Sequence, residues 1–122
     1  MCLDGMRLAY SVPALIVLAV LAGCTSQRKE ELATVKGAHS VTAEWAAVEH
    51  LATRKKLMPV YAREMRAMAK DELRSDRRSL RDPAAPAARA IDAVRARPAP
   101  SAAALAAAAR TLDQAGKSLE AR

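Results

Sequence analysis

Two stretches decide the fold: Val41-Thr-Ala-Glu-Trp-Ala-Ala-Val-Glu-His-Leu-Ala52, and Met58-Pro-Val-Tyr-Ala-Arg-Glu-Met-Arg-Ala-Met-Ala-Lys-Asp-Glu72. In the first, Val41, Trp45, Val48 and Ala52 recur at steps of 4, 3 and 4; in the second, Met58, Tyr61, Met65, Met68 and Glu72 recur at 3, 4, 3 and 4. Such steps place side chains on one side of a helix, so each set predicts one buried face. Pro59 falls between them, where it removes a backbone donor and crowds the preceding turn, at a cost of about 3 kcal/mol inside a helix. The apolar register also slips by one residue there, so a kink or a restart is expected.

The same period extends outward. Upstream, Leu32 and Val35 carry it, and it weakens at Gly37. Downstream, Pro83, Pro86, Pro98 and Pro100 bracket a short stretch in which Ile91 and Val94 mark a narrow apolar stripe, with Asp82 or Ser79 as its expected cap. Ser101 then reads as the N-cap of a last helix carrying Leu105, Ala108, Leu112, Ala115 and Leu119. Glycine is absent between Gly37 and Gly116, and nothing alternates apolar and polar residues over a strand's length. The prediction is an all-α protein, a small helical hairpin or three-helix bundle. Its long first helix should kink near Pro59, and its helices should run over about 32–58, 59–80, 84–96 and 101–120.

The N-terminal segment is of another kind. Arg7 supplies a positive charge, Val12 to Ala22 an apolar run of 11 residues, and Leu21-Ala22-Gly23-Cys24 ends the run in small residues before a thiol. A run this short suits the core of a secretory signal, since a membrane-spanning helix needs about 17 to 25 residues. The segment resembles a bacterial lipobox, which implies cleavage between Gly23 and Cys24 and diacylglycerol plus an N-acyl chain such as palmitate on Cys24. Two or more chains anchor a protein stably where one does not. Asp4 is out of place in a positive leader, and Met6-Arg7 would open a cleaner one, which leaves Met1 or Met6 as the start. Thr25 stands where Asp would signal inner-membrane retention, which favours the outer membrane in a Gram-negative cell. The expected organisation is a signal peptide over 1–23, a lipid-bearing tether over 24–31 and a helical domain over 32–122.

Composition limits that domain. The 99 residues from Cys24 onward contain only 14 Leu, Ile and Val and no Phe, too few for a dense core. Alanine, at 30 residues of the chain, compensates with helix propensity and predicts a helical but loosely packed structure. Cleavage would remove Cys2 and commit Cys24 to lipid, leaving no disulfide.

The net charge of +7 is arranged, not scattered. At 100° per residue, Lys56, Arg63, Arg66, Lys70, Arg74, Arg77 and Arg81 fall within an arc of about 80°, roughly opposite the methionine stripe. Such a face either serves solubility or meets an anionic partner, whether phospholipid head groups or an envelope polyanion. Nucleic acid is not expected as the partner, because the leader sends the chain out of the cytoplasm and Trp45 and Tyr61 do not interleave with the basic residues. His39 and His50 return to nearly the same helical face, but no Cys, Asp or Glu lies between them on that face, so no metal site is predicted. No nucleophile elbow or phosphate loop is present, and no enzyme activity or cofactor is expected beyond the lipid on Cys24.

Residues 41–80 also resemble the LemA family. Trp45-Ala46-Ala47-Val48, Arg54-Lys55-Lys56-Leu57-Met58-Pro59 and Ala69-Lys70-Asp71-Glu72 are similar to its W-x-x-V, R-R-x-x-L-I-P and A-x-x-E segments. The chain departs from the pattern by one missing residue between Trp45 and Pro59, by Val60 and Ala67, and by lacking the family's final segment. The resemblance implies that Trp45, Val48, Leu57 and Met58 are core residues of an antiparallel helical bundle. The combined expectation is a membrane-anchored, non-enzymatic envelope module, using either the Met/Tyr stripe or the basic face as its partner surface.

Overall fold

The computed structural model describes the backbone of residues 12–122 and the side chains of residues 26–122. The Leu21 to Cys24 box, the cleavage position and the acceptor thiol of Cys24 therefore lie outside the described side chains. Four helices are present: α1 (Val12–Thr53), α2 (Pro59–Ser79), α3 (Pro86–Arg95) and α4 (Ala102–Glu120). No strand occurs among the described residues, and the all-α expectation holds. The chain divides into two units at Glu30, and the second spans Glu31–Arg122. Residues 24–31, expected as a tether, are helical and belong to α1, and Gly37 does not interrupt that helix.

Of the expected kink or restart at Pro59, the structure shows the restart. α1 stops at Thr53, five residues before the predicted end, and α2 begins with Pro59 as its first residue, where a missing N–H costs nothing. The stop is a Schellman turn: Lys56 N–H donates to the Leu51 carbonyl and Lys55 N–H to the Ala52 carbonyl, both at 3.0 Å. Lys55 takes the left-handed conformation that this turn requires, with φ of 56°. Sequence signals point to glycine or asparagine there, and Arg54-Lys55-Lys56 offers neither.

Within Glu31–Arg122, α1 and α2 form an antiparallel hairpin, because Glu49 meets Arg66 while Trp45, one turn earlier, meets Lys70. α4 also runs antiparallel to α1, with Lys36 on Glu120 and His39 beside Asp113. The core joins Val35, Ala38 and Trp45 of α1 to Ala69 and Leu73 of α2, Ile91 and Val94 of α3, and Leu105, Leu112 and Leu119 of α4. Thr42, also fully buried, donates its hydroxyl to the Ala38 carbonyl at 2.7 Å, so it adds no unpaired polar group.

The buried face of α2 is not the predicted one. Met58 is 73 % exposed, Tyr61 50 % and Met68 57 %, and Glu72 is exposed, while Ala62, Ala69 and Leu73 are buried. At 100° per residue this buried line runs between the methionine stripe and the basic stripe, about 80° from each. Small side chains explain the choice, since Ala62 and Ala69 let α1 approach closely while Leu73 fills the core at 0 % exposure. Facing the methionines inward would turn Leu73 outward. Met58, expected as a core residue, is thereby corrected; Trp45 and Val48 are buried and Leu57 is half-buried.

The last two helices follow the reading closely. Ser101 caps α4, its hydroxyl accepting from Ala104 N–H at 3.1 Å, and Leu105, Leu112 and Leu119 are buried. Ile91 and Val94 are buried on α3. Its expected cap fails: the N-cap is Ala85 with no side-chain bond, Asp82 accepts from Ala84 N–H within the preceding turn, and the Ser79 hydroxyl donates to the Ser75 carbonyl.

Candidate functional site

The α1–α2 hairpin presents two chemically different flanks on either side of the Ala62, Ala69, Leu73 line. One is the exposed stripe of Met58, Tyr61 and Met68, with Met65 half-buried beneath it. Between this stripe and α1 lies a narrow groove lined by Val41, Glu44, Trp45, Val48, Met65, Met68, Ala69 and Glu72. Methionine is unbranched and polarizable, so a row of it forms an adaptable apolar contact surface.

The other flank carries the predicted basic face, and the structure divides it. Arg66 is taken up by Glu49: its Nε lies 2.9 and 2.8 Å from the two carboxylate oxygens and its Nη2 2.6 Å from Oε1. Trp45 Nε1 donates to the same carboxylate at 3.3 Å. The Arg66 hydrogen bonds hold the Glu49 carboxyl below its ordinary 4.5 despite partial burial. Arg77 is taken up likewise, its Nε donating to Asp92 of α3 at 2.8 Å and its Nη1 to the Leu80 carbonyl at 3.1 Å, which ties the end of α2 to α3. These two residues fasten helices together and are not free for a partner. Lys56, Arg63 and Arg81 are exposed.

Lys70 and Arg74 remain, and here the stripe gains members that sequence reasoning missed. With Arg95, Arg97, Val94 and Pro98 they line a cleft of about 210 Å³ over Trp45. The Lys70 Nζ stands 6.0 Å from the centroid of the Trp45 ring, which is itself almost wholly buried. The Arg95-Ala96-Arg97-Pro98 ending of α3 was visible in the sequence, but only the packing of α3 beside α2 brings it to Lys70 and Arg74.

A larger depression of about 550 Å³ lies between α3 and α4, lined by Ala90, Ala93, Ala104, Ala107 and Ala108 together with Pro86, Arg89, Val94, Arg97, Pro100 and Thr111. It arises because alanines are too short to fill the space between the outer faces of two helices. His39 lines the α1–α4 seam near Asp113, and His50 is exposed on α1. Among the described residues no three His, Cys, Asp or Glu side chains group as metal ligands, and no helix is long and apolar enough to cross a membrane. Comparison with family models, with curated proteins and with solved structures finds no match to this chain.

Proposed function

We propose that this chain is a lipid-anchored helical interaction module of a bacterial envelope, held to a membrane through Cys24 and docking another envelope protein through the Met58, Tyr61, Met68 stripe. The lipobox-like segment supports the anchor. The observation that carries the docking surface is the exposure of three large apolar side chains on one flank of α2, next to a groove in which Glu44 and Glu72 flank apolar side chains, in a protein with few large apolar residues to spare. Exposed apolar rows of this kind mark interaction surfaces. The basic flank is the weaker docking surface, because Arg66 and Arg77 are engaged within the fold.

Two measurements in bacteria producing the full chain test the reading. Cys24→Ser should move the protein from the membrane to the soluble fraction and abolish incorporation of an alkyne-tagged palmitate; a variant that stays lipid-labelled defeats the anchor. A photo-crosslinking residue at Met68 should give a discrete adduct that Met58→Gln suppresses, whereas one at the exposed Arg78 should not. Equal adducts from both positions defeat the stripe.

A further inference from the structure

We infer that the cleft over Trp45 is a binding site for a phosphate-bearing ligand, held by Lys70 and Arg74 of α2 with Arg95 and Arg97 at the end of α3. Four cations line this one depression. Of these four cations, only Arg74 has an ion-pair partner among the described residues, Asp71 at 3.5 Å, and both side chains are more than half exposed, so the pair neutralises little. Gathering like charges is unfavourable unless an anion joins them. Arg66 and Arg77, neighbours on the same stripe, each have a carboxylate from another helix. Glu49 also attracts Lys70 and Asp71 pairs with Arg74, but neither carboxylate lines the cleft.

The donor set names the ligand class. Three guanidinium groups offer planar forks that match phosphate oxygens in pairs, and the lysine adds a mobile point charge. Four positive charges suit a dianionic phosphate monoester better than a single carboxylate. Trp45, Val94 and Pro98 provide an apolar wall for the carbon portion next to the phosphate, and about 210 Å³ fits a small group such as glycerol phosphate. The Lys70 ammonium lies at the outer limit of cation–π attraction to Trp45, so it is free to swing onto an oxyanion. The site lies on the flank away from the methionine stripe and does not depend on docking there.

Trp45 is the only tryptophan and lines both this cleft and the groove beside the methionine stripe, so its fluorescence is read together with the cleft variants. The full chain in non-ionic detergent micelles is titrated at constant ionic strength with inorganic phosphate, with glycerol 3-phosphate, and with phosphatidate added to the micelles. A saturable change with any of these is expected. Response to the soluble probes identifies a free phosphate compound, and response to phosphatidate alone identifies a lipid head group. Arg95→Gln with Arg97→Gln should weaken the apparent affinity about tenfold or more, from the loss of charge-assisted hydrogen bonds. Arg78→Gln with Arg81→Gln, removing equal charge outside the cleft, should change it less than about twofold. If the first double variant loses helicity, Lys70→Gln provides the same comparison with a single exposed substitution. Absence of a saturable change with all three probes, or equal weakening in cleft and control variants, overturns the site.

Discussion

Glu49 is the residue on which the hairpin turns: one carboxylate accepts from the Trp45 indole and from the Arg66 guanidinium, joining α1 to α2 beside the core. Because Arg66 holds its pKa below 4.5, the contribution of Glu49 to stability is fully present above that value and is lost as pH falls through the lowered folded value. Glu49→Gln should therefore cost about 1–2 kcal/mol near neutral pH, with allowance for the exposure of Arg66, and the difference from the parent should shrink below about pH 4.5. Denaturant unfolding of both proteins from pH 3 to 7 measures it; a difference that grows on acidification contradicts the assignment. Lys55 is a second single-residue case. Its positive φ carries a side-chain penalty that glycine lacks, so Lys55→Gly should raise stability by about 1 kcal/mol, read as a higher melting temperature. A lower melting temperature would show that the Lys55 side chain makes a compensating contact.

α2 shows what periodicity conveys and what it leaves out. The helices were legible, and so were the ends of α2, α3 and α4, because prolines, Ser101 and the 3–4 spacing are local signals; neither end of α1 was. Which side of α2 faces inward was not. Met58, Tyr61, Met65 and Met68 form the most apolar row on the helix, yet the row that packs is Ala62, Ala69 and Leu73, since the distance of closest approach is set by the small residues as well as the large ones. The division of the basic stripe was hidden for a related reason: Arg66 and Arg77 find Glu49 and Asp92 at separations of 17 and 15 residues, beyond any local pattern. The early end of α1 was missed because a lysine occupies the position where glycine would announce a stop. The two possible inner faces of α2 make opposite demands on mutation. Leu73→Ala should cost about 2–5 kcal/mol, whereas Met68→Ala should cost less than about 1 kcal/mol. Thermal melts of the pair decide between the faces, and a larger loss at Met68 would restore the methionine stripe to the core.

At the scale of the whole molecule the balance is between a thin core and an uneven charge. Of the 14 Leu, Ile and Val residues from Cys24 onward, nine are buried, and alanine supplies much of the remaining contact between helices. Such a core leaves a small margin, so repulsion among 20 basic residues set against 13 acidic ones is a meaningful fraction of the total. Screening acts on both signs of interaction. It weakens the exposed Lys36–Glu120 and Lys117–Asp113 pairs, and it reaches the partly buried Arg66–Glu49 pair less. The repulsion it relieves is spread over Lys56, Arg63, Lys70, Arg74, Arg95 and Arg97, all exposed. Relief therefore exceeds loss, and raising sodium chloride from low concentration to about 0.3 M should lift the melting temperature by roughly 2–4 °C, the shift expected of about half a kcal/mol in a domain of this size. A fall over the same range would mean that the ion pairs between helices outweigh the repulsion along the basic flank.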